Sequence, residues 1–230
     1  MATYQTWDDL KAKVLRDLDL EGETFITSDE MLGYANEAID EVERQVHTLY
    51  EDYFLSRSTI TLVSGTEEYA LPTDIYAMKV RSVVYRNGST VIEIPRIRDW
   101  QKFIFYEEQT ASTATAGNYR YFILNETAGA PRLLLTPTPT ESGAYVKIWY
   151  LRNAAEMEDG DSVCDLPEAA NYIIQYIKVR CYEKDGHPML AKAMQDLEAE
   201  KQTTVATLAN MVPDANNLIE ADTSHYDSMT

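Results

Sequence analysis

The stretch TITLVSGTEEYALPTDIYAMKVRSVVYRNG, residues 59–88, decides the fold that the sequence predicts. Runs rich in β-branched and aromatic residues alternate in it with the turn signals Ser-Gly and Pro-Thr-Asp. It ends at Asn87-Gly88, the strongest short hairpin signal, because a type I′ turn needs φ > 0 at both central residues. Helical periodicity precedes the stretch and returns only after Leu166-Pro167. We therefore expect an α+β protein in which a small antiparallel β domain is inserted into a helical body.

Two amphipathic helices are expected in residues 1–54, before the β domain. The first runs from about Trp7 to Leu20, with Thr6 as its N-cap and two aspartates in its first turn. The second runs from about Ser28 towards Tyr50, and its apolar residues recur at spacings of three and four: Met31, Ala35, Ala38, Ile39, Val42, Val46 and Leu49. The charged residues of this helix are expected on its opposite face, with His47 also on the surface: Glu37, Asp40, Glu41 and Glu43. The two helices should pack as an antiparallel pair.

Two further helices are expected in residues 152–210. Pro167 suits the first position of one of them, which the sequence Asp-Gly-His-Pro at 185–188 ends with a C-cap glycine and a proline. The last helix runs from Met189 to about Asn210. We expect the N- and C-terminal helices to form one antiparallel bundle. Residues 211–230 have no hydrophobic period and should form an extended C-terminal tail.

The β domain is expected to span residues 55–151. Beyond the opening stretch, strands are predicted at 90–95, 120–124, 132–137 and 145–150, with a short helix at 99–106. The runs at 120–124 and 132–137 should pair with one another. Short strands separated by turns at this spacing are typical of a small sandwich or an open barrel.

The net charge of −18 is concentrated at the two ends of the chain. Residues 1–52 carry 14 acidic and 4 basic residues, residues 151–230 carry 15 and 6, and the β region between them is balanced with 9 and 10. This distribution argues against gripping nucleic acid, where affinity comes from Lys and Arg. It suits a surface that repels DNA or meets a basic partner, although acidity also serves solubility alone.

The sequence predicts no catalytic, metal or cofactor site, and we expect no enzyme. Its three histidines, His47, His187 and His225, are far apart and lack metal-ligand spacing to a cysteine. Cys181 lies on an apolar helix face, so a buried structural thiol is favoured over a nucleophile paired with His187. The two cysteines, the absence of a long apolar run and the lack of a signal peptide favour a reduced, intracellular, non-membrane setting.

An acidic stretch between the β domain and the last helices has the charge, but not the ligand rhythm, of a calcium loop. Its carboxylates are those of Glu156, Glu158, Asp159, Asp161 and Asp165. A solvated connector is the favoured interpretation.

Half of the sixteen tyrosines fall in the β domain. They fit half-buried strands, but they also suit protein interfaces and, less well, sugar-binding surfaces. These tyrosines are Tyr69, Tyr76, Tyr85, Tyr106, Tyr119, Tyr121, Tyr145 and Tyr150.

Several motifs, in this order and spacing over about residues 5–200, resemble those of the head-to-tail adaptor proteins of tailed bacteriophages, also called connector or head-completion proteins. They are TxxxL at 6–10, YANEAIDEV at 34–42, EEYALPTDIYAMKVRSVVYRNG at 67–88, RLLLTPTP at 132–139, VKIWYLR at 146–152 and CDLPEAANYIIQYIKVRCYE at 164–183.

The resemblance implies a structural virion protein, assembled in the host cytoplasm, without cofactor or enzymatic activity. Its copies, typically twelve, form a ring beneath the portal protein, join the capsid to a downstream tail protein and continue the DNA channel without specific DNA binding. The C-terminal segment of the family typically reaches the portal. Here that segment would be the tail, with Met211, Leu218, Ile219 and Tyr226 as portal contacts.

Other functions remain open from the sequence. The main alternative is a β-sandwich module of a phage tail that binds glycans or proteins, in a tail-completion or receptor-binding role. An enzyme with a composite site between subunits is disfavoured, because no closely spaced catalytic residue types occur.

Overall fold

A computed structural model describes residues 6–20, 25–110, 116–125 and 131–211. Within these residues it is α+β with antiparallel sheets, which confirms the predicted fold class. The chain divides into two compact units. The helical unit combines the two ends of the chain, Met1–Tyr50 and Glu156–Thr230, and the β unit is Glu51–Ala155.

The described residues form five α-helices and seven strands. The helices are α1 (Trp7–Leu18), α2 (Ser28–Leu49), α3 (Trp100–Thr110), α4 (Ala170–Asp185) and α5 (Leu190–Met211). The strands are β1 (Leu55–Thr61), β2 (Glu68–Ala70), β3 (Ile75–Asn87), β4 (Thr90–Glu93), β5 (Arg120–Leu124), β6 (Arg132–Thr136) and β7 (Tyr145–Arg152).

Capping boxes fix the starts of α1 and α2. Thr6 is the N-cap of α1, as predicted, and Thr27 caps α2. The Glu30 amide donates to Thr27 Oγ1 at 3.2 Å, and the Thr27 amide donates to Glu30 Oε2 at 2.9 Å. Each box satisfies two backbone donors that a helix start leaves unpaired. At its other end α1 stops at Leu18, two residues earlier than predicted, because Asp19 adopts a left-handed conformation with φ of 55°.

The buried stripe of α2 is wider than its sequence predicts. Six of the seven apolar residues expected there are buried, and Leu49 is exposed. Glu43 and His47, both expected on the surface, are only 8% and 6% exposed. His47 Nε2 lies 3.5 Å from Glu43 Oε1, one helical turn away. The expectation for these two residues was wrong because side chains at i and i+4 lie together on one helix face, so the two polar groups can enter the buried face as a pair.

Helix α4 is buried over much of its circumference. Its buried residues fall on more than one face and include Tyr172, Ile173, Ile174, Ile177, Val179 and Cys181. The helix contacts α1, α2 and α5 within the helical unit. A helix that buries residues on more than one face needs partners on several sides, and α4 has them.

The β unit contains two antiparallel sheets that share one core. The first has the strand order β1-β7-β3-β4 and the second β2-β6-β5. The predicted pairing of the runs at 120–124 and 132–137 is confirmed by β5 and β6. Buried side chains from both sheets, such as Val83, Ile148 and Leu133, belong to the same cluster. Two sheets packed face to face in this way form a small sandwich rather than an open barrel.

The β3–β4 hairpin is present, but its turn differs from the prediction. Asn87 pairs with Thr90, so the loop residues are Gly88 and Ser89. Gly88 has φ of 55°, whereas Asn87 does not have a positive φ. The type I′ turn centred on Asn87-Gly88 was therefore wrong, because the strand pairing extends one residue further than the sequence signal indicated.

Strand β3 is interrupted by two consecutive residues in the left-handed region. Ala77 and Met78 have φ of 45° and 56°, and the pairing of β3 with β7 shifts register between Ile75 and Val80. Such conformations are strained for residues with a Cβ. A second register shift follows between Val80 and Ser82. Val80 itself is buried, and Lys79 and Arg81 on either side of it both pair with Glu51.

The burial of α4 predicts the effect of truncating its core. Ile173 is fully buried, so Ile173→Ala should lower the free energy of unfolding of the helical unit by about 2–5 kcal/mol. Urea unfolding followed by circular dichroism measures the loss. The control Met194→Ala, on an exposed part of α5, should stay within about 0.5 kcal/mol of wild type. Equal losses in the two variants would contradict this description of the core.

Candidate interaction surfaces

Ion pairs between helices use much of the basic charge of the helical unit. On α4, Lys178 pairs with Asp17, Arg180 with Glu37 at 2.9 Å, and Lys184 with Glu30 at 2.7 Å. On α5, Lys201 Nζ lies 2.6 Å from Glu41 Oε1. The hydrogen bond from Lys184 holds the pKa of Glu30 below its ordinary value, and the bond from Lys178 does the same for Asp17. These contacts connect α4 and α5 to the first two helices.

The helical unit therefore presents an acidic exterior. Its described part contains 21 acidic and nine basic residues, and four of those bases make the ion pairs above. The remaining carboxylates far outnumber the remaining bases. Such a surface repels nucleic acid and attracts basic groups.

The densest part of this acidic exterior is residues 156–161, here called the acidic connector. Met157 is buried, and the Asn36 side chain clamps its backbone: the Met157 amide donates to Asn36 Oδ1 at 2.8 Å, and Asn36 Nδ2 donates to the Met157 carbonyl at 3.1 Å. The Glu158 amide donates to Ser162 Oγ at 2.9 Å. The buried anchor leaves the neighbouring side chains of Glu156 and Glu158 exposed to solvent. The connector is thus an ordered surface that presents carboxylates.

The β unit carries the opposite charge around a cleft of about 330 Å³, here called the arginine cleft. Its basic side chains are those of Lys79, Arg81, Arg96 and Arg98. Lys79 and Arg81 are paired with Glu51 at 3.0 and 2.6 Å, and hydrogen bonds from Arg81 and Lys79 lower the pKa of that carboxyl. Arg96 and Arg98 are exposed and make no salt bridge within the described residues.

The backbone fixes the positions of these two arginines. The Ile97 amide donates to the Tyr121 carbonyl at 2.8 Å, and the Tyr121 amide donates to the Pro95 carbonyl at 3.1 Å. Ile97 is buried between them. Arg96 and Arg98 therefore lie on the same outer side of a segment that is held against β5.

A third surface of the β unit is aromatic. Phe103 of α3 is buried, whereas Trp100 is 44% and Phe105 58% exposed, and Ile104 and Tyr106 are exposed beside them. The Trp100 ring stacks on Phe103 with a centroid distance of 5.5 Å. A short helix with this much exposed aromatic area is unusual for a surface without a partner.

Most of the β-domain tyrosines serve the core. Tyr69, Tyr85, Tyr119, Tyr121 and Tyr150 are buried, and several of their hydroxyls are satisfied internally. Tyr69 donates to the Thr66 carbonyl at 2.8 Å, and Tyr150 donates to Asp74 Oδ1 at 3.0 Å. Burial raises the pKa of Tyr119 to about 12. The use of these five tyrosines at an interface is therefore excluded in this fold, and half-buried strands account for them.

The structure confirms Cys181 as a buried thiol. Burial raises its pKa to about 11, and that of Cys164 likewise. Cys181 and His187 line the same cleft of about 270 Å³, but His187 Nδ1 accepts a hydrogen bond from the Met189 amide at 3.2 Å and its ring stacks on Tyr182. A thiol with so high a pKa is a poor nucleophile.

Of the four predicted portal contacts, only Met211 falls within the described residues. Met211 is the exposed last residue of α5, whereas Leu218, Ile219, Tyr226 and the rest of the tail lie outside the described residues. In the part of the chain that the structure describes, no group of three His, Cys, Asp or Glu side chains could hold a metal ion. None of the described helices has the length and apolar character to cross a membrane.

We did not predict the arginine cleft from the sequence, although the sequence contains a signal for it. The tripeptides Lys79-Val80-Arg81 and Arg96-Ile97-Arg98 both place a buried aliphatic residue between two bases. In extended backbone this spacing puts the two bases on one face. Nothing in the sequence shows that the two tripeptides meet at one cleft.

Three surfaces of this chain could contact other molecules: the acidic exterior of the helical unit, the arginine cleft and the aromatic surface of α3. A family model described as SU10 adaptor protein matches residues 5–219, nearly the whole chain. The chain belongs to this family, which confirms the resemblance to phage head-to-tail adaptors and makes it a structural component of the virion. No curated protein matches the chain.

The ion pair between α5 and α2 predicts a pH-dependent contribution to stability. Burial raises the pKa of Glu41, but hydrogen bonds from Lys201 and Tyr172 outweigh burial and hold that pKa below its ordinary value. A lowered folded-state pKa gives stability that is complete above the unfolded value and is lost as the pH falls through the folded value. Lys201→Met should therefore cost about 0.2–1 kcal/mol near neutral pH and progressively less below about pH 4. Urea unfolding of both proteins at each pH measures this, and a pH-independent difference would contradict it.

The raised cysteine pKa values predict slow thiol chemistry. At about pH 8 only about 0.1% of each thiol is ionised if its pKa is about 11, and both are buried. The folded protein should react with Ellman's reagent far more slowly than the protein in guanidinium, where both thiols should react at once. Rapid reaction in the folded protein that is lost in Cys181→Ser would restore Cys181 as a candidate nucleophile.

Proposed function

We propose that copies of this protein, typically twelve, form a ring beneath the portal protein, join the capsid to a downstream tail protein and continue the DNA channel. The observation that carries the proposal is the family match over residues 5–219. Family membership assigns the structural adaptor role, and the ring, its partners and the channel are what we infer from it. We further propose that the protein has no enzymatic activity, is monomeric or weakly associated alone, and assembles on the portal in the host cytoplasm.

We propose that the helices form an antiparallel bundle with α4 at its centre. The order of the ion pairs between α2 and α4 supports an antiparallel arrangement of these two helices. Glu30 of α2 pairs with Lys184, and Glu37, about two turns later, pairs with Arg180, so residue numbers rise along α2 as they fall along α4. Antiparallel neighbours give this order.

The acidic exterior of the helical unit suits a channel wall. DNA carries one negative charge per about 1.7 Å of helix axis, so a wall rich in carboxylates would let it pass without adhesion. The excess of acidic residues in the described part of this unit supports the assignment. Specific DNA binding is not part of the function that we propose.

We propose that the C-terminal tail docks on the portal. Helix α5 ends at Met211, from which the remaining residues continue, and Leu218, Ile219 and Tyr226 supply apolar anchors. Docking through this segment couples assembly to the presence of the portal, because the contacts that hold the protein in place form only on the portal.

Portal binding tests the proposal. The full chain is mixed with the portal ring from the same genome, and mass photometry measures the mass of the complexes. We expect one copy per portal subunit. Replacing Met211, Leu218, Ile219 and Tyr226 together by Ala should raise the concentration for half-filling by about tenfold or more, since apolar anchors dominate such interfaces.

The control for the tail variant replaces Val91, an exposed apolar residue of β4, by Ala, which should leave portal binding unchanged. If the wild-type protein does not bind the portal, the proposed function is wrong. If the tail variant binds like the control, the tail is not the portal contact.

The exposed aromatic surface of α3 favours a second candidate function. Trp100, Phe105 and Tyr106 could stack against sugar rings, as expected of a glycan-binding module of a phage tail. A glycan array followed by a tryptophan-fluorescence titration distinguishes the two functions. An adaptor should bind no glycan, whereas a saturable fluorescence change that is lost in Trp100→Ala would favour the alternative.

A further inference from the structure

We propose that the arginine cleft of one copy binds the acidic connector of the neighbouring copy, and that this contact joins adjacent copies. The inference rests on the proposed ring, whose copies it connects. It pairs the basic arginine cleft, on the β unit of one copy, with the acidic connector, on the helical unit of the next.

The cleft has the chemistry of a carboxylate site. Its four bases face two acidic residues, because Arg81 also pairs with Asp52 at 2.9 Å. Arg96 and Arg98 are left without a carboxylate in the described structure. Their guanidinium groups present fixed forks of N–H donors, which bind carboxylates through two parallel hydrogen bonds.

The side chains of Lys79 and Arg81, and the backbone that carries Arg96 and Arg98, are held in place before any partner arrives. Lys79 and Arg81 are oriented by Glu51, and the segment with Arg96 and Arg98 is hydrogen-bonded to β5. The strained Ala77 and Met78 also line the cleft. A site that is already ordered gives up little conformational entropy on binding.

The acidic connector supplies the complementary group. Glu156, Glu158, Asp159 and Asp161 are exposed, and none of them makes a salt bridge in the described part of the chain. The Asn36 clamp and the buried Met157 side chain hold the connector backbone in place. Because the connector is not helical, one or two of its side chains can enter a cleft of about 330 Å³, which would not admit a helix.

The charge of the cleft favours a protein partner over DNA. DNA binding draws its affinity from Lys and Arg contacts to many phosphates, whereas this cleft offers two unpaired arginines beside Glu51 and Asp52, which already hold the other two bases. Those two arginines are enough to bind one or two carboxylates of a second copy. Because the contact joins two different surfaces, it is heterologous, and repeating it generates a ring when the rotation closes.

Charge reversal on each side tests the contact in the full chain. The cleft variant is R96E/R98E, and the connector variant is E156K/E158K. Each variant alone should need about tenfold or more protein than wild type to fill the portal ring, as measured by mass photometry. A mixture of equal parts should fill it like wild type, because each variant's cleft then meets the opposite charge on the other variant's connector.

The control R57E/R86E reverses two other arginines of the β unit, neither of which lines the cleft, and should behave like wild type. Circular dichroism verifies that every variant is folded. Ring filling by both variants at wild-type concentrations would overturn the proposal, as would failure of the mixture to restore filling. A third contrary result is that wild type retains a DNA duplex at about 0.15 M salt while R96E/R98E does not, since the cleft would then bind phosphate.

The outcome separates this inference from the proposed function. If the wild-type protein does not bind the portal, the adaptor assignment fails, and self-association at high protein concentration still tests the contact by sedimentation velocity. Weak association of wild type, its loss in each variant and its return in the mixture would support the contact without the portal. If wild type fills the portal and all variants match it, the contact alone is wrong.

Discussion

The helical unit depends on the burial of α4, which carries both apolar and basic residues. All three bases of this helix, Lys178, Arg180 and Lys184, pair with acids on α1 or α2. Exposed pairs of this kind contribute little free energy each, so apolar burial holds the helices and the pairs select their order. The same pairing leaves the rest of the unit strongly acidic.

The helical unit is thus acidic, whereas the β unit carries a basic cleft, and this difference favours contacts between copies. The helical unit has used four of the nine bases in its described part internally, whereas the β unit keeps Arg96 and Arg98 unpaired within the described residues. Copies with an acidic surface on one unit and a basic cleft on the other can attract one another when they are correctly oriented, although their net charge of −18 opposes random association. A protein of this kind suits assembly on a template, because the template supplies the orientation.

Much of the fold follows from local sequence patterns. Hydrophobic period predicted the first two helices, Thr6 predicted the start of α1, and runs of strand-forming residues predicted β3 and β7, because each of these signals lies within one element. The start of β1 was missed, since Ser56, Arg57 and Ser58 have little strand preference and are extended only because they pair with β7. The burial of Glu43 and His47 and the meeting of two basic tripeptides at one cleft depend on tertiary packing, which local patterns do not encode.

We infer that this chain forms the ring joining portal and tail, with its acidic helices towards the DNA. Electron microscopy of the full chain bound to the portal ring from the same genome tests it most directly. The account predicts a ring of density continuing the portal channel, with one copy per portal subunit and the helical unit lining the passage. An unoccupied portal, or a ring in which the β unit lines the channel, would contradict it.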